Sequence, residues 1–371
     1  MKGFRLNTEI LMIDTVEEFI QNFKPNQKDI ILTNEVIYHP ILSQFKLSCR
    51  VIFQEKYGAG EPSDEMINQI ISALGPAEYD RIFAIGGGTV IDISKVLALK
   101  TPKNVLDLLY NRVPLEKKHY LIVLPTTCGT GSEVTNIAIL EDIKGKNKKG
   151  IVGPEMFPDQ AVLVPELLIS LPYKFFAFSS VDALIHGIES YLSPNSNEIT
   201  ELFAINGIER ILTAYQSIAE KGESTYQDHI RPVLLASTLS GIAFGNTGVG
   251  AVHAMSYPLG GTYHVAHGEA NYAFLFVVLQ KYDQCHPEGK IKELKKIIGK
   301  VLGENDLNQV MTRLAELLEK VIILRPLREY GVREEDLPIF VEGTLAQERL
   351  LRNNYVSLSG DDFLEMLKER Y

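Results

Sequence analysis

The stretch Arg81-Ile-Phe-Ala-Ile-Gly-Gly-Gly-Thr-Val-Ile-Asp-Ile-Ser-Lys95 decides the fold. Ile82 to Ile85 form a short apolar run, as a strand covered on both faces requires. Gly86, Gly87 and Gly88 break the run, and past Thr89 a helix runs toward Lys100. Glycines at a strand-to-helix junction let a pyrophosphate approach the backbone closely. The free amides and positive end of the helix then favour its charge. A triple glycine also serves as a plain tight turn, and this one is not a GxGxxG fingerprint. Asp92 and Lys95 follow three and six residues after Thr89, either as a helix-opening charged pair at the ligand or as a solvated face.

The same alternation extends outward. Asp29-Ile-Ile-Leu-Thr-Asn34, Val51-Ile-Phe53 and Leu121-Ile-Val-Leu124 read as further strands. Between Ser63 and Leu74, Met66, Ile67, Ile70, Ile71 and Leu74 recur at helical spacing, with Ser63 placed to cap the helix and Gly75 to end it. Strands alternating with helices predict an α/β domain built on a parallel sheet. After Pro172 the texture becomes helical throughout. A chain of 371 residues exceeds what one core usually serves. Two domains are expected, α/β over residues 1–172 and all-α over residues 173–371. The basic stretch Lys144-Gly-Lys-Asn-Lys-Lys149 reads as an exposed hairpin turn.

A formal charge of −10 opposes nucleic-acid or anionic-membrane binding, which needs clustered Lys and Arg. Cys49, Cys128 and Cys285 are few and widely spaced, which suits a reducing compartment better than a disulfide framework. No stretch resembles a signal peptide or a spanning helix. A cytoplasmic location, small-molecule partners and no membrane are expected.

A second glycine- and hydroxyl-rich segment, Pro125-Thr-Thr-Cys-Gly-Thr-Gly-Ser-Glu133, also follows a strand directly. Two such segments at one sheet edge favour a nucleotide site, because ligands sit beyond the carboxyl ends of parallel strands. Cys128 reads as a small filler of that loop rather than a nucleophile. In the second half, Ser179 opens what reads as a helix, on which Asp182 and His186 lie four apart on one face. Three of the eight histidines, His253, His264 and His267, then fall within fifteen residues among glycines and apolar residues. Asp182, His186, His253 and His267 would make a three-nitrogen, one-oxygen site, with His264 a substitute ligand. That set suits Fe(II) or Zn(II) better than Mg(II) or Ca(II).

With those motifs in order along nearly the whole chain, the sequence resembles the iron-containing (group III) alcohol dehydrogenases. The resemblance implies a Rossmann-like first domain and an all-helical second one. It implies NAD(H) and a divalent metal, Fe(II) or else Zn(II), as cofactors, and a homodimer or higher homo-oligomer. Carried over motif by motif, Gly87, Gly88 and Thr89 would hold the pyrophosphate, with Asp92 beside them. Thr126, Thr127 and Thr130 would line the cofactor, Lys149 would contact it, and Asp182, His186, His253 and His267 would bind the metal. The wording of Val181–His186, His253–Pro258 and Arg325–Gly331 points to 4-hydroxybutyrate and succinate semialdehyde as substrates. A broader alcohol, butanol or 1,3-propanediol specificity is the alternative.

Three positions depart from the family pattern. Asn34 stands where many members carry an aspartate that receives the adenosine ribose. A neutral amide repels a 2′-phosphate less, so NAD(H) is expected over NADP(H) without strict exclusion. Tyr257 replaces a histidine thought to relay the proton, which leaves Tyr257, His264 or a water chain for that task. Asn353-Asn354-Tyr355 replaces a common Asn-Pro-Arg. A dehydroquinate-synthase-like lyase, or a sensor that kept the fold, are the rival classes; the Asp182/His186 pair speaks against the first and the complete ligand quartet against the second.

Overall fold

The computed structural model describes residues 2–371 except Ala77, Thr101 and Lys146. Its chain divides into two units, Leu6–Leu171 and Pro172–Tyr371, the second joined by the amino-terminal residues up to Arg5. Those first residues are tied to helical neighbours. Lys2 donates to the Ser196 carbonyl at 2.8 Å, and the Arg5 amide donates to Asn246 Oδ1 at 2.6 Å.

Among the described residues of the Leu6–Leu171 unit eight strands form: β1 (Glu9–Met12), β2 (Asp29–Thr33), β3 (Arg50–Phe53), β4 (Arg81–Gly86), β5 (Tyr120–Pro125), β6 (Ile137–Asp142), β7 (Asn147–Val152) and β8 (Gln160–Leu163). Six make one sheet in the order β1-β8-β5-β4-β2-β3, every pair parallel. The parallel sheet expected from the alternating runs is present. All five residues of β2 are buried, and so are Ile82 to Gly86 of β4, which is why those runs lack the alternation of a half-exposed strand. The Asp64–Leu74 helix has the predicted ends: Ser63 accepts from the Met66 amide, and Gly75 takes a φ of 64°. Its Met66, Ile67, Ile70 and Leu74 pack with Val90, Ile93 and Val96 of the Gly88–Leu97 helix in one apolar core. The strands β6 and β7 form a separate antiparallel hairpin whose turn contains Gly145; Lys146 lies outside the described residues.

The second unit is helical. Tyr173–Leu192, Glu198–Lys221, Ile230–Thr247, Ala251–Tyr263 and His267–Cys285 are its longest central helices. The first of these corrects the expected start at Ser179. The helix begins at Tyr173 after Pro172, and Ser179 lies inside it with its hydroxyl on the Phe176 carbonyl at 3.1 Å. Pro172 sets an extended backbone that cannot continue the helix backwards, while Phe176 and Ala177 bury the added turn. The chain ends in the Gly360–Arg370 helix, capped by reciprocal bonds between Ser359 and Asp362. Lys281 pins that helix through Asp362 at 3.1 Å and Glu365 at 2.6 Å. Among the described residues no single helix is long and apolar enough to cross a membrane.

Candidate metal centre and dinucleotide cradle

The Tyr173–Leu192 helix aligns Asp182, His186 and Glu189 on one face, at intervals of four and three residues. His253 comes from the first turn of the Ala251–Tyr263 helix and His267 from the first residue of the His267–Cys285 helix. Donor atoms of Asp182, His186, His253 and His267 all lie within 4.8 Å of one another. Asp182 Oδ1 stands 3.9, 3.8 and 3.8 Å from the Nε2 atoms of His186, His253 and His267, and the His253 and His186 nitrogens approach to 3.0 Å. A tetrahedral ion with bonds of about 2.0–2.2 Å needs donors roughly 3.3–3.6 Å apart, so the spacing fits one ion. His264 does not join this cluster.

The charge balance also fits a cation. Asn271, one turn beyond His267, directs its amide nitrogen at Asp182 Oδ1 (2.7 Å), His253 Nε2 (3.1 Å) and His267 Nε2 (3.2 Å). Two amide hydrogens thus meet one carboxylate oxygen and two ring nitrogens, while Asn271 Oδ1 is buried without a partner. The cluster is rich in lone pairs, and Asp182, His186 and His253 are buried. Burial pushes the Asp182 carboxyl up, but the three histidines and the Asn271 amide outweigh it and hold the group below its ordinary value.

Glu189 is buried beneath the cluster, at a position that no sequence motif marks. Its Oε2 meets His253 Nδ1 at 2.6 Å, and its Oε1 accepts from the Val252 amide at 2.8 Å. A carboxylate at Nδ1 keeps the proton there and turns the Nε2 lone pair toward Asp182 and His186. The signal available was its position seven residues after Asp182, which repeats the helical face. Gly268 shows how closely two helices meet here: a Cβ on it would overlap the Phe178 carbonyl oxygen.

In the α/β unit the two glycine-rich segments are neighbours at the carboxyl ends of β4 and β5, whose Gly86 and Pro125 are paired in register. A Cβ on Gly88 would lie 2.9 Å from Thr130 Cγ2, and one on Gly87 would lie 3.3 Å from Thr127 Cγ2. The Thr126 amide donates to the Gly86 carbonyl at 3.1 Å, and the Thr89 hydroxyl to the Gly60 carbonyl at 3.0 Å. Thus Gly87, Gly88, Thr89, Thr126, Thr127 and Thr130 gather around the amino terminus of the Gly88–Leu97 helix, a site suited to a phosphate.

Asp92 braces the second loop. One oxygen accepts from the Ser132 hydroxyl and the other from the Ile139 amide at 2.8 Å. Lys95 is wholly buried and donates to Ser132 Oγ (2.8 Å), Thr135 Oγ1 (3.0 Å) and the Ile137 carbonyl (2.7 Å). Burial pulls its ammonium down to about 8, with Asp92 and Glu133 opposing. The pair is therefore not a solvated helix face, and it fixes the loop that carries Thr126 to Thr130. Cys128 is fully buried in that loop, as a filler would be. Lys149 is exposed on β7, with its ammonium 4.6 Å from the centre of the Tyr110 ring. Asn34 follows β2 with its amide against Gln54 and Glu55.

The two relay candidates differ. Tyr257 is half-buried beside Val249, Ala254 and Leu350. His264 is exposed and holds a left-handed φ of 55° at the end of its helix. In the Asn353-Asn354-Tyr355 segment, Asn353, which matches the family's asparagine, has its amide nitrogen 3.1 Å from the Val249 carbonyl, within the Gly248–Gly250 turn that leads into the His253 helix.

Two family profiles match, "Iron-containing alcohol dehydrogenase" over residues 10–165 and "Fe-containing alcohol dehydrogenase family, C-terminal" over residues 176–371. The sequence is 48% identical to 4-hydroxybutyrate dehydrogenase of Clostridium kluyveri, covering 100% of both chains. It is 31% identical to sulfoacetaldehyde reductase of Bilophila wadsworthia, covering 84% of this chain and 82% of the other. Among solved structures, sulfoacetaldehyde reductase from Bifidobacterium kashiwanohense, in complex with NAD+, superposes with a TM-score of 0.86 at 22% identity, covering 100% and 98% of the two chains. Profiles over both halves of the chain, and a full-length relative at this identity, place the protein in the iron-containing alcohol dehydrogenase family.

Proposed function

We propose that this chain is a metal-dependent NAD(H) oxidoreductase interconverting 4-hydroxybutyrate and succinate semialdehyde. The observation that carries the substrate is the 48% identity, end to end, with the Clostridium kluyveri 4-hydroxybutyrate dehydrogenase. Asp182, His186, His253 and His267 hold the metal, Fe(II) or alternatively Zn(II), through one oxygen and three nitrogens. When bound, the metal supplies Lewis acidity at the aldehyde oxygen and the nicotinamide supplies the hydride.

The chain's own residues do the rest. Glu189 holds the proton on His253 Nδ1, so that Nε2 stays a donor toward the ion. Gly87, Gly88 and Thr89 receive the pyrophosphate at the helix amino terminus, and Thr126, Thr127 and Thr130 line the dinucleotide, with Lys149 its further contact. Reduction consumes one proton at the former carbonyl oxygen, delivered through the Tyr257 hydroxyl, the His264 imidazole or a water chain. Assembly as a homodimer or higher homo-oligomer, and a cytoplasmic location, belong to the same reading.

The test is a substrate panel with NADH and NADPH after loading with Fe(II) or Zn(II). Succinate semialdehyde should give the highest kcat/KM, with one NADH oxidised per aldehyde reduced. A preference for butanal would remove the substrate assignment. Absence of NADH oxidation with every aldehyde would remove the dehydrogenase reading as a whole.

A further inference from the structure

The strands β2, β3 and β4 lie side by side in parallel register, Thr33 opposite both Phe53 and Ile85. Asn34 and Gln54 therefore leave the sheet along one edge, beside Gly86 at the end of β4. Gln54 is buried, and its amide nitrogen is fixed on the Gly58 carbonyl at 2.9 Å and on Met66 Sδ at 3.2 Å. Its oxygen accepts from Asn34 Nδ2 at 3.2 Å, and Glu55 Oε2 accepts from the same nitrogen at 3.0 Å. Both Asn34 amide hydrogens are thus used, which fixes the amide's orientation and leaves its oxygen as the atom offered to a ligand. Glu55 Oε1 is held by the Glu35 amide at 2.6 Å. The segment carrying Glu55 is also joined to the phosphate cradle, since the Thr89 hydroxyl donates to Gly60.

Given the dinucleotide reading above, on which this inference rests, we propose that Glu55 selects NAD(H) over NADP(H), replacing the charge that Asn34 lacks. In doubly wound sheets the pyrophosphate sits on the glycine turn, and the adenosine ribose meets the end of the neighbouring strand, where an acidic residue receives its 2′-hydroxyl. Here β2 neighbours β4, so that end carries Asn34 with Glu55 against it. Both present acceptors. Ribose hydroxyls donate to such an edge, whereas a 2′-phosphate brings negative charge and no donor. The cation nearby, Lys56, is matched by Glu35 at 3.1 Å, so Glu55 leaves the edge net negative. The neutral amide at position 34 therefore does not relax the preference, as the sequence alone suggested.

The test is equilibrium binding of NADH and NADPH, read by nicotinamide fluorescence, with wild-type protein and E55Q. Binding is measured without turnover, and a thermal midpoint checks folding; Glu55 is exposed, so the near-isosteric change leaves the core intact. The wild-type protein should bind NADH at least tenfold more tightly than NADPH. E55Q should narrow that ratio by roughly tenfold, the scale of one charge pair at surface dielectric, chiefly by improving NADPH. E55K should narrow it further. An unchanged ratio in both variants, with NADH still bound, overturns the role of Glu55 alone. If the wild-type protein bound neither nucleotide, the dinucleotide reading would fall and this assignment with it.

Discussion

Replacing Glu189 by glutamine tests whether a carboxylate beneath the metal centre sets the state of His253. The side chain keeps its shape, so no cavity opens, but the balance of donors changes. In the native protein two buried donors, His253 Nδ1–H and the Val252 amide, each have one carboxylate oxygen. Glutamine offers one oxygen and an NH2 group. If the oxygen serves Val252, the NH2 faces His253 Nδ1, which must give up its proton, moving it to Nε2 and blocking the donor atom. If the oxygen serves His253, the Val252 amide faces NH2 and loses a buried bond, at about 1–3 kcal/mol. Loss of such a supporting carboxylate typically weakens metal binding by about 10–100-fold, or roughly 1.4–2.7 kcal/mol. The assay is metal affinity by chelator competition, beside NADH binding and the thermal midpoint. Metal affinity should fall within that range while NADH affinity holds, because the cradle belongs to the other unit. E189Q protein that kept wild-type metal affinity and rate would refute the argument.

His267→Ala and Asp182→Ala should each abolish turnover and lower metal content together, with NADH binding retained; full metal and full rate in either would remove that residue from the ligand set. His264→Asn, chosen because asparagine tolerates the left-handed backbone, should lower kcat/KM for succinate semialdehyde roughly tenfold to a hundredfold and spare butanal if the imidazole binds the carboxylate; an equal loss on both substrates would instead assign it to the reaction common to both. Asp362→Ala removes part of the final helix's cap and should destabilise the fold by about 1 kcal/mol near neutral pH. The bonds from Ser359, foremost among the causes, hold the Asp362 carboxyl down at about 2. Its contribution is therefore present above pH ~4, and the gap in denaturant midpoint between variant and wild type should close as pH falls toward 2.

The fold was legible where its signals are local. β2 and β4 announce themselves because a strand covered on both faces must be apolar throughout, and the Asp64–Leu74 helix because Ser63 and Gly75 mark its ends within one turn. The start of the Tyr173–Leu192 helix was misread for the converse reason. Ser179 has the composition of a cap, but burial of Phe176 and Ala177 rewards an earlier turn, and burial is decided by helices distant in the chain. The same divide runs through the site. Asp182 and His186 share a helix face and can be paired by counting, whereas the contact of Glu189 with His253 and that of Asn271 with Asp182 join residues 64 and 89 positions apart along the chain. Asp92 was legible as a charged residue near the cradle, but its two hydrogen-bond partners, Ser132 and Ile139, come from the loop after β5 and from the separate β6–β7 hairpin.

Asn34 shows why a single departure from a family pattern is a poor guide to specificity. Taken alone, an amide in place of a carboxylate removes a charge. In the fold, that amide donates to Glu55 at 3.0 Å and to Gln54 at 3.2 Å, bonds that an ionised aspartate could not make. An aspartate at position 34 would set a second carboxylate against the first, with nothing to donate between them and a glutamine oxygen on the other side. The neutral residue therefore helps to hold Glu55 at the end of β2, beside the bond from the Glu35 amide, and the two positions are chemically one unit. The charge has moved 21 residues along the chain while staying at the same sheet edge. What an alignment column registers as a loss is, in three dimensions, a relocation.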